Sequence, residues 1–210
     1  MQRDGRVRKF FEIAILSAMT KQRLEAFSDG VIAILITIMV LELHAPAGAE
    51  LAALKPFVPA LLSYVLSFIY LGIYWSNHHH MLHAASHVSG GVLWANLHLL
   101  FWLSLVPFGT RWVGEQHTAS LPTALYGVDL LMAAIAYTIL QTTLIRVDGN
   151  KSLLARAVAG DGKGKLSMAL YASAIGLAFV RPWLAQLVYV LVALIWLVPD
   201  SRIERRMQNP

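Results

Sequence analysis

The chain has 210 residues, 57% of them hydrophobic and only 14% charged, with a mean hydropathy of +0.59 and a formal net charge of +5. This balance excludes an ordinary soluble domain, and long uncharged runs mark an integral membrane protein with several crossings. Zero cysteines exclude disulfides, thiolate catalysis and cysteine metal sites.

Residues 1–23 carry six basic side chains, Arg3, Arg6, Arg8, Lys9, Lys21 and Arg23, and read as a basic cytoplasmic arm. Phe10, Phe11 and the apolar run at 13–16 fit either a short interfacial helix or a frayed, solvated segment. The apolar stretch at 13–19 is too short and too closely flanked by charge for a cleavable signal.

The first crossing, residues 24–43, organises the chain. From Gly30 to Leu41 there is no charge, and the only polar side chain is Thr37. These twelve residues are too few to cross about 30 Å of hydrocarbon at about 1.5 Å per residue. A full crossing therefore carries Glu25, Ser28, Asp29 and Glu42 at or inside its ends. An acid at mid-depth costs about 2.5–3.5 kcal/mol, less near the interface, so it calls for a partner or a task. At about 100° per residue, Phe27, Gly30, Ile34, Thr37 and Leu41 form one stripe with Ile38 beside it, and Asp29 points about 140° away from Ile34. Helix packing for the stripe and a partnered Asp29 would account for this pattern, and so would a functional face.

The second crossing, about 56–76, is uncharged, with Pro56 and Pro59 tolerated in its first turn. It ends in Trp75, His78, His79, His80 and His83, followed by His87 and a turn at 89–91. The third, about 92–109, contains Asn96 and His98 and closes on Pro107-Phe108, with Arg111 in the next loop. The fourth runs from about Pro122, where Ser120 can cap it, to Ile145, with Asp129 about two turns inside and expected to pair with a polar group of a neighbouring helix. Residues 146–165 read as a polar loop, and crossings at about 166–180 and 183–198 form a hairpin turned by Arg181-Pro182. No second copy of the Phe27-Ser28-Asp29 stretch is present, so the chain is a single repeat.

The arm, the second-to-third loop, the fourth-to-fifth loop and the tail hold fourteen Lys and Arg residues, against three in the other loops. This asymmetry predicts six crossings with both termini cytoplasmic. The basic excess could suggest nucleic acid, but its gathering in alternate loops argues against such a partner. The expected organisation is a cytoplasmic arm at 1–23, a transmembrane domain at 24–199 and a basic tail at 200–210.

His79 and His83 are four apart, a spacing that can share a metal on one helix face, but further ligands would have to come from other helices. Hydrogen bonding of these imidazoles to Asp29, Ser28 and Asn96 is the alternative use. No Gly-x-Ser-x-Gly, phosphate-cradling glycine loop or His-Glu-x-x-His is present, and neither is the Thr-Val-Gly-Tyr-Gly carbonyl filter. The outer loops are too short for a re-entrant selectivity loop.

Arg23-x-x-x-Phe27-Ser28-Asp29 running into Gly-Val-x-Ala-Ile-x-x-Thr37-Ile-x-Val-Leu-Glu-Leu resembles the signature of the transmembrane protein 175 family, the endolysosomal potassium channels and their bacterial relatives. The similarity extends to Trp75-x-x-His78-His79, Asn96-Leu97 and Pro107-Phe108; the last three crossings match only in number and hydrophobicity. It implies an all-α, six-crossing potassium-permeable channel in the cell membrane, without cofactor or resident metal, whose first helices surround the pore. Two-repeat members are dimers, so a single-repeat chain would be a homotetramer. By position, Ile34 matches the family's constriction, Thr37 its threonine layer, and Ile38 and Leu41 the outward apolar layers. Arg23, Phe27, Ser28, Asp29, Trp75, His78, His79 and Asn96 match the motifs of the polar network that holds the first helix. His80 departs from the pattern, where a basic residue is expected. Glu42 falls at the pore mouth, where it could concentrate cations or stand idle at the interface. The rival readings are a metal-dependent membrane enzyme using the cluster from His78 to His83, and a proton-coupled carrier using Asp29 and Asp129.

Overall fold

The computed structural model describes residues 2–46, 48–150, 152–158 and 162–197, and among them the only regular structure is helical. The elements are α1 (Gln2–Leu41), a 3-10 segment (Leu51–Phe57), α2 (Val58–Ala84), α3 (Gly90–Glu115), α4 (Ser120–Asp148), α5 (Leu153–Val158), α6 (Gly162–Val180) and α7 (Pro182–Leu197). The segments Lys21–Leu41, Leu51–Ala84, Gly90–Glu115 and Ser120–Asp148 are long and apolar enough to cross a membrane. The described part of α7 is apolar but shorter. The tail at 200–210 lies outside the described residues.

Several helices outrun their apolar cores. α1 is one helix of 40 residues rather than an arm or short interfacial helix followed by a crossing. No proline interrupts residues 2–41, so nothing breaks the i to i−4 ladder where hydropathy falls. α2 continues past the expected stop at Ser76 to Ala84, so His78, His79, His80 and His83 all lie on its last turns. α3 runs on to Glu115, so Arg111 is in its last turns and not in the following loop. α4 begins at Ser120, with Ala119 at the N-cap position, so Ser120 is not the cap. It continues beyond Ile145 to Asp148 and stops where Gly149 turns to φ 90°, a left-handed angle that suits glycine. The expected loop at 146–165 contains the short α5.

α1 packs on α2 and α3, α3 on α4, and α4 on the α6–α7 hairpin, which also reaches α2. Two cores result. One joins α1 to α4 through Ile32, Leu35, Met39, Leu71, Leu99, Leu103 and Leu140. The other lies among α2, α4, α6 and α7 and is built from Tyr70, Tyr126, Tyr171 and Tyr189 with Ala174, Ala178, Ala185 and Ala193. Small residues let these backbones approach, as expected where hydrocarbon gives no hydrophobic push between helices. The tyrosine hydroxyls are satisfied locally. Tyr70 donates to the Tyr189 carbonyl, Tyr189 to the Thr123 carbonyl at 3.0 Å, and Tyr126 shares a 2.8 Å bond with Ser67.

Gly127 is needed for this arrangement, because a Cβ there would overlap the Tyr189 hydroxyl. Gly127→Ala is expected to destabilise the folded protein by about 1–3 kcal/mol. A thermal melt in detergent checks it, and adding Tyr189→Phe should recover part of the loss.

Candidate functional site

α1 divides cleanly along its length. Leu24, Ser28, Ile32, Leu35 and Met39 are buried against α2 and α3. The opposite side is uncovered: Phe27 is 52% exposed, Ile34 57%, Ile38 39% and Leu41 78%, with Gly30 and Thr37 open between them. The Thr37 hydroxyl donates to the Ile34 carbonyl at 2.8 Å, so its proton is turned back into the helix and its remaining lone pairs are free.

Polar side chains hold the covered side. Ser28 Oγ donates to the Leu24 carbonyl at 2.9 Å and accepts from Asn96 Nδ2 at 2.9 Å. Asn96 Oδ1 in turn accepts from His78 Nε2 at 2.7 Å, which sets the imidazole tautomer with its proton on Nε2. Ser28, Asn96 and His78 are all buried, so α1, α3 and α2 are joined by a continuous chain without water. One turn along, at the edge of the contact, Trp75 Nε1 donates to Asp29 Oδ1 at 3.0 Å. Asp29 thus has the partner its depth calls for.

The structure thereby brings together Ser28, Asp29, Trp75, His78 and Asn96. Arg23 and Phe27 fall instead on the exposed side of α1. His79 is exposed and stacks between the rings of Trp75 and His83, at centroid distances of 6.4 and 6.1 Å. Among the described residues, no three His, Asp or Glu side chains are placed to hold a metal. His98 accepts from Trp102 on its own helix at 3.0 Å. Asp129 does not find the expected partner: it is buried in the outer bundle, and neither oxygen has a hydrogen-bond partner.

Both ends of the α1 crossing are tied by residues that sequence reasoning passed over. At the N-terminal end of the crossing, Lys21 Nζ donates to the carbonyls of His83 and Ala85 at 3.1 and 2.8 Å, capping α2. Asp148 at the end of α4 accepts from the backbone N–H groups of Ser86 and His87, clasping the same linker. At its C-terminal end, Arg111 pairs with Glu42 at 2.7 Å and with Glu115 at 2.9 Å. The Arg111/Glu115 spacing of four was a legible signal; the Glu42 contact across 69 positions was not.

Residues 23–107 match the family model for the endosomal/lysosomal potassium channel TMEM175. This span holds α1 from Arg23 onward, α2 and α3 through Pro107, and so the whole hydrogen-bond chain. A protein named as a potassium channel in Chryseobacterium sp. strain P1-3 is 54% identical over 191 residues, covering 91% of this chain and 100% of that protein. The human endosomal/lysosomal proton channel TMEM175 is 35% identical over 81 residues, 33% of this chain and 16% of that one. A crystal structure of a lysosomal potassium-selective channel TMEM175 homolog from Chamaesiphon minutus superposes with a TM-score of 0.77 at 26% identity, covering 86% of this chain and 97% of that one.

The buried chain and its exposed neighbour predict unequal costs. Asn96→Ala strands His78 and Ser28 without their partner and should destabilise by about 1–3 kcal/mol. Trp75→Phe removes the solvent-edge bond to Asp29 and trims the ring stacked on His79, and should cost about 0.5–1 kcal/mol. Paired melts of the purified variants measure the difference.

Proposed function

The chain belongs to the TMEM175 family of potassium channels, and from that premise we propose that four copies assemble around the uncovered face of α1. It is a multi-pass membrane protein that conducts potassium, and it is not an enzyme. The metal-enzyme and carrier readings give way with the family. In the proposed architecture α1 to α4, α6 and α7 are the six crossings of a cell-membrane protein, with the basic N-terminal stretch 1–23 and the 200–210 tail both cytoplasmic. The distribution of Lys and Arg supports that orientation. In this reading no re-entrant loop takes part: residues 116–119 separate α3 from α4, Arg181 alone separates α6 from α7, and the 3-10 segment Leu51–Phe57 between α1 and α2 runs directly into α2 at Val58.

One observation carries the pore assignment. Along 27–41, α1 turns Ser28 and Asp29 toward α2 and α3 and leaves an unbroken apolar face uncovered, with Thr37 its single polar group. A helix needing only lipid would gain nothing from an exposed Gly30 and Thr37 in the same stripe. Four such faces meeting at an axis make an apolar neck with Ile34 as the constriction, Thr37 one turn outward, and Ile38 and Leu41 beyond. Such a neck gates by dewetting and admits ions that shed water readily. Potassium holds its shell less tightly than sodium, so dehydration at Ile34 favours potassium, while the outward lone pairs of Thr37 replace part of the lost hydration.

Reversal potentials of purified protein in planar bilayers test this. Ile34→Ala should widen the neck and lower the potassium-to-sodium permeability ratio. Because the chain has no native cysteine, Ile34→Cys should render the current sensitive to a water-soluble thiol reagent. The same change at Phe101, on the exposed side of α3, should leave it insensitive. Unchanged ratios and an unreactive position 34 would remove α1 from the pore.

A further inference from the structure

We infer that Arg111 sets the electrostatic potential of the outer pore mouth, and that it does so by cancelling Glu42. The inference rests on the reading of α1 as the pore helix. Glu42 directly follows the last residue of α1 and would be the nearest fixed charge to the end of the exposed stripe. Arg111 Nη1 sits 2.7 Å from Glu42 Oε2, while Arg111 Nε sits 2.9 Å from Glu115 Oε1. The guanidinium fork therefore spans two carboxylates, one at the end of the pore helix and one on its own helix.

This cluster opens on water. The Arg111 side chain is 46% exposed and that of Glu42 35%, and both line a hollow of about 670 Å³ behind the outer end of α1. The other titratable groups lining it are His44, Lys55, Tyr64, Glu115 and His117, of which the tyrosine is an uncharged phenol at neutral pH. With the histidines neutral, two acids face two bases, so the hollow has no net charge. Glu42 is then not a free cation attractor but half of a dipole. Removing one Arg111 per protomer would leave four uncompensated negative charges around a four-fold axis. At about 10 mM salt the screening length is about 30 Å, well beyond one helix diameter, so all four would act on an ion at the axis. At 1 M the length is about 3 Å and none would.

Single-channel recording with potassium on the Glu42 side provides the test. Arg111→Gln should raise conductance from that side about threefold to tenfold near 10 mM salt and have no effect near 1 M. Arg111→Lys should rescue the low conductance, since the charge is kept. Adding Glu42→Gln to Arg111→Gln restores the charge balance and should bring conductance back down. A role limited to tying α1 to α3 predicts the reverse, with the double variant as impaired as either single one at every salt concentration; that result overturns the inference. It is equally overturned if Arg111→Gln is silent at low salt while Ile34→Ala still alters the permeability ratio, an outcome that leaves the pore reading intact. Silence of both variants would bring down the pore reading with it.

Discussion

The constraint on which this structure depends is that α1 has protein on one side only. A crossing helix pressed against two neighbours by hydrocarbon contacts alone could rotate by a residue or two at little cost, since Ile, Leu and Val are interchangeable to lipid. The bond chain from Ser28 through Asn96 to His78 removes that freedom. Its groups are buried, so turning α1 would leave a serine, an amide and an imidazole unpaired where no water can serve them, at about 1–3 kcal/mol for each orphan. The orientation of the apolar stripe follows from this. What lines the uncovered face is decided by what is bonded on the covered one.

The same rule governs the rest of the bundle, with different residues. In the core of α2, α3 and α4, Thr110 donates to Ser67 at 2.6 Å, and Ser67 shares its hydroxyl with Tyr126. Between α6 and α7, antiparallel because Arg181 alone connects them, Trp196 donates to Ser167 at 2.8 Å and ties the end of α7 to the start of α6. Hydroxyls and ring N–H groups that could be left over in an apolar core are thus used as fasteners between helices. Asp129 is the exception among the described residues: a buried acid with no hydrogen-bond partner on either oxygen.

Charged side chains also tie both ends of the crossing to its neighbours. Lys21 and Asp148 grip the 83–87 segment from two sides, which links the start of the α1 crossing to the C-terminal end of α4 through the end of α2. Glu42 and Arg111 join the C-terminal end of α1 to α3. The neutral chain lies between these ionic ties, so ionic strength acts on the helix at its ends and leaves the buried grip untouched. α1 is held at three levels, and its apolar middle from Ile32 to Met39 adds packing without direction.

From sequence alone, periodicity was enough to place Phe27, Gly30, Ile34, Thr37 and Leu41 on one face and Asp29 on another, because helical geometry is local and needs no partner. Hydropathy located the four helices long and apolar enough to cross a membrane for the same reason. It misjudged their ends, as with α2 and its histidines, because a helix stops where its backbone ladder is broken rather than where its side chains turn polar. Depth alone marked Asp29 as an acid in need of a partner; that Trp75 supplies it, while Asp129 has none, depends on which helix lies alongside. The pairing of Glu42 with Arg111 and the grip of Lys21 on the 83–85 carbonyls join positions more than sixty residues apart. No pattern along the chain encodes such contacts, because they exist only once the helices have packed and their ends have come within reach.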